Sequence, residues 1–367
     1  MAQARALRRE PARVKSPGRI FDSVPPVTYG SGMASDVIVI GAGVAGLSCA
    51  ARLQAAGAGV LLLDRADKPG GRCATRQFHG QSADYGPVFL HGRDPDFLAA
   101  VRTACTETRP GWPGKVSGTG KPCQPEAFSL GESRLGIPEG VNAFPRSLAA
   151  GLRIQLNCRV QTVSWDGGLF SVTDGAGGQW QSRDLVLALA LEQALPFLRQ
   201  LAPGEGIPQA LALLGMFHTV PCLTVIAGYP AGTRMPEWDV QYPEAEESLL
   251  LVSNESGKRD AKVLVVQAAP RWSRVHLEDD PDAWSDALLA SAARVTGAWV
   301  TAPEWRHTHR WRFARLDRAN ELAAPLVLSR NQGRLGVCGD LFSPGGGVQA
   351  AWRSGRELAE RLGAPHR

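Results

Sequence analysis

The sequence predicts an α/β protein, a domain built on a buried parallel sheet with a second, mixed α+β domain inserted into it. Three observations point there. The apolar run Val37-Ile38-Val39-Ile40 enters a glycine turn spaced G-x-G-x-x-G and leaves it as a run of small and apolar residues. A second short strand, Val60 to Leu63, ends in Asp64 and is followed by Gly70-Gly71-Arg72. Near the C-terminus a third strand, Leu335 to Cys338, runs into Gly339-Asp340, a triple glycine and a candidate helix. At 367 residues the chain is too long for one typical core, so two lobes are expected.

The first strand is β-branched with no polar alternation, which suits a strand buried on both faces. The helix after it extends to about Ala56, with Leu47, Ala50, Ala51 and Leu53 placed to pack on the sheet. Gly41 permits the tight turn, Gly43 lets the backbone approach a pyrophosphate, and Gly46 lets helix and strand pack closely. Val44 and Ala45 open the helix, whose N-terminus favours phosphate charge. Asp64 lies about 20 residues past the glycines, where a ribose hydroxyl is usually bound. The alternative is a glycine turn with no ligand. Strand, helix, second strand and terminal acid together favour a Rossmann-like dinucleotide site.

NAD and FAD share that fingerprint. The stretch RADKPGGRCATR, Arg65 to Arg76, helps to choose. Gly70 and Gly71 allow a second close backbone approach, and the planar donor fork of Arg72 suits phosphate oxygens. An ordinary NAD dehydrogenase has no need of such a second clamp. The C-terminal turn agrees. Asp340, after Gly339, can accept bonds from a sugar-alcohol chain. The helix from Val348, with Trp352, Gly355, Ala359 and Leu362 near helical spacing, can turn its positive end to a flavin ring.

The motifs GAGVAG, DRADKPGGR and CGD with its C-terminal glycine turn resemble the flavin amine oxidase superfamily. Within it the chain is most similar to the renalase branch, especially its bacterial members. Gly70, Gly71, Arg72 and Thr75 meet the branch's GGR-x-x-T/S pattern, and Asp84-Tyr85-Gly86 meets its acidic-x-Gly stretch. RWSRVHLEDDPDAW from Arg271 and HRWRFAR from His309 resemble two further branch segments. The resemblance covers roughly residues 35 to 362. It implies an amine-oxidase-type FAD domain assembled from residues 35–95, 140–192 and 305–363, with residues 96–139 and 193–304 covering the flavin. It also implies non-covalent FAD, with backbone near Val160 meeting the adenine and Arg65 among the contacts.

Two departures fall where a substrate would sit. The branch continues Ala-Gln-Tyr-Phe-Thr after the acidic-x-Gly stretch, whereas this chain has Pro87-Val88-Phe89-Leu90-His91. A branch histidine appears here as Gln267. Phe89 and Gln267 are therefore pocket candidates. So are Arg310 and Arg312, which lie in an arginine-rich run with Trp311 and Phe313. Those arginines read first as the solvated face of an alternating strand, and otherwise as a patch for an anionic, phosphate-bearing substrate.

The resemblance implies an oxidase that takes a hydride from a small reduced substrate, such as an isomeric dihydronicotinamide dinucleotide. Oxygen then reoxidises the flavin and gives hydrogen peroxide. An amine oxidase or desaturase acting on a secondary metabolite is the alternative, and a flavin-binding regulator without turnover is a third class. The catalytic residues and the oligomeric state are left open.

Composition sets bounds. Hydrophobic residues make up 44 % and charged residues 20 %, the profile of a soluble globular protein. Of the net charge of +5, +4 falls in residues 1–32, where six basic residues stand against Glu10 and Asp22. That leaves no basic nucleic-acid face in the rest. Residues 1–34, rich in arginine and proline, are expected to be a disordered leader. No apolar run approaches the roughly 18 residues of a membrane helix. Seven scattered cysteines without C-x-x-C spacing suit reduced thiols and a cytoplasmic setting, an organelle address in the leader being the alternative. No paired Cys or His spacing supports a metal. Cys73, beside the GGR turn, reads as a small buried residue.

Overall fold

The computed structural model describes residues 35–118, 131–202, 204–243, 245–317, 321–329 and 332–363. The leader lies outside them. So does most of 115–125, a stretch rich in Gly, Pro and Lys that reads as a loop in the sequence.

The first strand, Ser35–Ile40, sits in the middle of a sheet and pairs in parallel with Val60–Leu63 on one side and with Gln179–Leu187 on the other. Ile154–Gln155 extends the parallel array beyond Val60–Leu63, and Arg334–Val337 extends it beyond Gln179–Leu187. Period-two alternation sends Val37 and Val39 to one core and Ile38 and Ile40 to the other, so both faces are buried. The first core holds the helices Val44–Ala55, Pro95–Ala104 and Gly347–Leu362 against the sheet. The second holds Leu191–Gln200 and Ile207–Leu214.

A second sheet has the order Trp305–Leu316, Thr219–Gly228, Val263–Ala268, Leu249–Asn254, Val240–Gln241 and Val116–Ser117. Its long strands are antiparallel. The helix Pro281–Thr296 covers one face through Trp284, Leu288, Leu289 and Ala292.

Three segments lie elsewhere than the sequence assigns them. Trp305–Leu316 pairs with Thr219–Gly228 along nearly its whole length, so it belongs to the second sheet rather than to the cofactor-binding segments. Helix Pro95–Ala104 packs Phe97, Leu98 and Val101 into the first core, and Leu191–Gln200 with Ile207–Leu214 line the other face of the same sheet. The covering lobe is correspondingly smaller. Chain order alone does not report such long-range packing.

Candidate functional site

A cleft of about 860 Å³ lies between the two sheets, near the top of the ~300–1,000 Å³ range of small-molecule sites. Two glycine turns form one end. The first helix starts at Gly43 with no side chain capping it, so the positive end of its dipole is left for a ligand. The second turn is fastened beside the first, with Gly70 N donating to Ala42 O at 2.8 Å and a Gly43–Gly70 bridge. A Cβ added to Gly43 would meet nothing within 4 Å, so bare backbone there borders open cleft. A Cβ on Gly46 would lie 2.0 Å from Gly41 O. Gly46 does not line the cleft; it lets the helix close on the turn.

Gly41, Val44, Ala45, Asp64, Arg65, Gly71 and Val160 all line this end. Asp64 is fixed by its own neighbours, its Oδ2 accepting from Ala42 N at 2.6 Å and its Oδ1 from Ala66 N at 2.8 Å. Each oxygen keeps a second lone pair for a hydroxyl.

The sequence expects Arg72 and Asp340 to meet a ligand separately, but the structure pairs them. Arg72 Nη1 and Nη2 donate to the two Asp340 oxygens at 2.9 and 2.7 Å, and Nη1 also reaches Ala314 O at 3.1 Å. One bidentate fork thus ties the GGR turn, the C-terminal turn and the second sheet together. Beside it the Cys73 thiol is pushed up to about 12 by burial, against the lowering pull of Arg72, and stays protonated. At the far end Gly345, Gly346 and Gly347 have φ of +90°, +59° and +70°. They lead into a last helix that again has no side-chain cap, with Gly339 and Val348 lining the space before it.

The substrate candidates divide. Gln267 lines the cleft, and its Nε2 donates to Gly86 O at 2.6 Å. Phe89 does not line it. It is buried in a separate cluster with Val88 and Trp112, just before the short strand that carries His91. Arg310 and Arg312 line the rim with their heads committed elsewhere. Arg312 ion-pairs with Glu278, and Arg310 donates to Asp279 O.

A wall of rings was not legible as a site in the sequence. Tyr85 and Trp311 stack with centroids 5.5 Å apart, and His309 lies 4.2 Å from Trp311. Trp311 Nε1 donates to Tyr85 O at 2.9 Å, so the wall also holds the backbone that Gln267 grips. Burial lowers the His309 pKa and favours its neutral ring. His91 completes the lining and contacts the Glu132 carboxylate through Nδ1. Among the described residues no group of three or more His, Cys, Asp or Glu is placed to hold a metal, and no helix is long and apolar enough to cross a membrane.

Comparison with known proteins agrees with this geometry. A model for NAD(P)-binding Rossmann-like domains matches residues 39–103, and one for flavin-containing amine oxidoreductases matches residues 120–363. Phytoene desaturase (lycopene-forming) from Pseudescherichia vulneris is 47 % identical over 66 residues, 18 % of this chain and 13 % of the desaturase. Its counterpart from Pantoea ananas is 54 % identical over 52 residues, 14 % of this chain and 11 % of the desaturase. The chain thus matches only about an eighth of the length of those relatives. Among solved structures, cyclohexylamine oxidase from Brevibacterium oxydans IH-35A superposes with a TM-score of 0.70 at 14 % identity, over 90 % of this chain and 99 % of that one. Putrescine oxidase superposes at 0.63 and 15 % identity over the same shares. Both likenesses concern the fold. Two uncapped helix N-termini, paired glycine turns and an open cleft joining them fit FAD, the cofactor that the family carries. The match over residues 120–363, two thirds of the chain, places it in the family of flavin-containing amine oxidoreductases.

Proposed function

We propose that the protein is an FAD-dependent oxidase that takes a hydride from a small reduced donor, with dioxygen as acceptor and hydrogen peroxide as product. The observation that carries this is the single cleft joining the first glycine turn, the Arg72–Asp340 fork, the C-terminal glycine turn and the aromatic wall. FAD supplies the hydride acceptor; the chain supplies binding and orientation. In this reading the amides of Val44 and Ala45 and the open face of Gly43 take the pyrophosphate. Asp64 takes a ribose hydroxyl, Arg65 lies beside it, Val160 meets the adenine, and the turn before Val348 faces the flavin ring. Tyr85, Trp311 and Gln267 bound the donor side.

Asp64→Ala is expected to weaken FAD binding by about 1.5–3 kcal/mol, the worth of a charged hydrogen bond. Fluorescence titration of the apoprotein measures it, and an unchanged dissociation constant removes Asp64 from the site.

Two donor classes suit the wall. The renalase resemblance favours 2- or 6-dihydro isomers of NAD(P), whose flat ring matches the faces of Tyr85 and Trp311. Arg310 and Arg312 would have to leave Asp279 and Glu278 to grip the phosphates. An amine is the second class, favoured by the histidine–carboxylate pair at His91. Anaerobic stopped-flow mixing is the test. One class of donor should bleach the flavin rapidly and the ordinary 4-dihydro form should not, because a misplaced hydride loses the orientation advantage. Air should then restore the colour with one peroxide per turnover. Protein that carries FAD yet is bleached by no donor of either class refutes the oxidase reading in favour of a non-catalytic flavin protein.

A further inference from the structure

We propose that His91, oriented by Glu132, is the proton acceptor of this site toward an amine donor, the donor class of the family, which sheds a proton as well as a hydride. The inference rests on the FAD reading above. His91 lies on the short strand Leu90–Gly92, directly opposite Arg134 of the strand Ser133–Gly136. Glu132 stands two residues before Arg134, the diagonal position from which a side chain reaches across a ladder. There its Oε1 meets His91 Nδ1.

The pair is asymmetric in exposure. The Glu132 side chain is 6 % exposed and that of His91 21 %. Glu132 Oε2 is buried and has no hydrogen-bond partner among the described residues. A carboxylate held dry is costly unless something uses its charge. Here it meets Nδ1 of a ring that borders the cleft, which fixes the tautomer with Nε2 as the free base. It would also stabilise the imidazolium formed when Nε2 takes a proton.

The position matches the chemistry. A Cβ on Gly92 would fall 2.2 Å from Gln349 Oε1, and that oxygen accepts from Arg93 N and Asp94 N, both at 2.8 Å. The strand is thereby fastened to the first turn of the last helix, the flavin-ring end of the cleft in this reading. His309 also lines the cleft but has no carboxylate against it among the described residues, and the pairs His218–Asp317 and His276–Asp279 lie outside the lining.

An N–H bond of the bound ammonium breaks and its proton passes to His91 Nε2, leaving the electron pair on nitrogen. The α C–H bond then breaks with both electrons to the cofactor, and the nitrogen pair forms the C=N bond of an iminium. Dioxygen later takes the two electrons, and the imidazolium returns its proton to solvent. A dihydropyridine carries no such proton and would leave the base idle.

The experiment uses holoenzyme whose FAD content is verified by absorbance. Wild type, His91→Ala and Glu132→Gln are mixed anaerobically with cyclohexylamine, benzylamine, putrescine and pyrrolidine, and separately with the 6-dihydro isomer of NAD. At least one amine should bleach the wild type. In His91→Ala the limiting rate with that amine should fall at least about 100-fold at unchanged FAD content, and added imidazole should restore part of it. Glu132→Gln should lose on the order of 10-fold. Bleaching by the dihydropyridine should fall far less in His91→Ala than bleaching by the amine, because no proton leaves that donor. Equal amine rates in wild type and His91→Ala, a loss that imidazole does not touch, or no bleaching by any of the four amines each overturns the proposal. Protein without FAD would sink the cofactor reading first, and this proposal with it.

Discussion

Asp84→Asn is expected to destabilise the fold by about 3–5 kcal/mol, the usual cost of breaking a buried ion cluster from one side. Asp84, Glu255 and Lys258 are fully buried, and Arg259 is 8 % exposed. Asp84 Oδ2 accepts from Lys258 Nζ at 2.7 Å and from Arg259 Nη2 at 2.5 Å. Its Oδ1 accepts from Thr75 Oγ1 at 2.6 Å and Val141 N at 3.0 Å. Two acids balance two bases. Removing one acid leaves a surplus positive charge in a dry place. Lys258 also reaches Val88 O at 2.6 Å, so the cluster fixes both sides of the Tyr85–Pro87 segment that borders the cleft.

The pH dependence follows from the same contacts. Burial alone would raise the Asp84 carboxyl, but Lys258 and Arg259 outweigh it and hold the group below its ordinary value. A depressed folded pKa contributes stability above the unfolded value of about 3.9, lost as pH falls through the folded value. The gap between wild type and Asp84→Asn should therefore be constant above about pH 5 and narrow as the pH drops below about 4. Urea unfolding at several pH values, with an unchanged denaturant slope, reads it. A gap under about 1 kcal/mol at neutral pH would show that the cluster is not a stabilising core element.

What the sequence discloses follows the range of the interactions. The strand–turn–helix at Val37 to Ala55 is legible because each step is local: β-branched residues, glycines at fixed offsets, then helix formers. Sheet membership is not. Trp305–Leu316 reads as a strand, but its partner Thr219–Gly228 is named only by the fold. The arginines differ likewise. The motif marks Arg72 as a phosphate donor, yet its bidentate partner Asp340 stands 268 residues away. Arg312 reads as a pocket arginine until Glu278 is seen beside it. His91 appears in the sequence only as a departure from the branch pattern. Its orienting carboxylate is 41 residues on, with no spacing rule to connect them.

Gly43→Val should weaken FAD binding on the order of 100-fold while leaving the apoprotein as stable as wild type. Gly43 has φ −78° and ψ 178°, extended backbone open to any residue. Its missing Cβ would meet no protein atom within 4 Å, so the side chain starts into open space rather than into the protein. The space a valine would take is the cleft over the uncapped helix, where the proposed reading lays the pyrophosphate. Losing one or two charge-assisted amide contacts there is worth about 3 kcal/mol, on the order of 100-fold in dissociation constant. Gly46→Val makes the contrast. Its Cβ would press to 2.0 Å from Gly41 O and 3.1 Å from Ala188 Cβ, so helix and strand must part and the apoprotein itself should lose stability. Melting temperatures without flavin and FAD titration of both variants separate the two roles. If Gly43→Val binds FAD like wild type, the pyrophosphate does not lie over this turn; if Gly46→Val melts like wild type, close packing is not what its glycine serves.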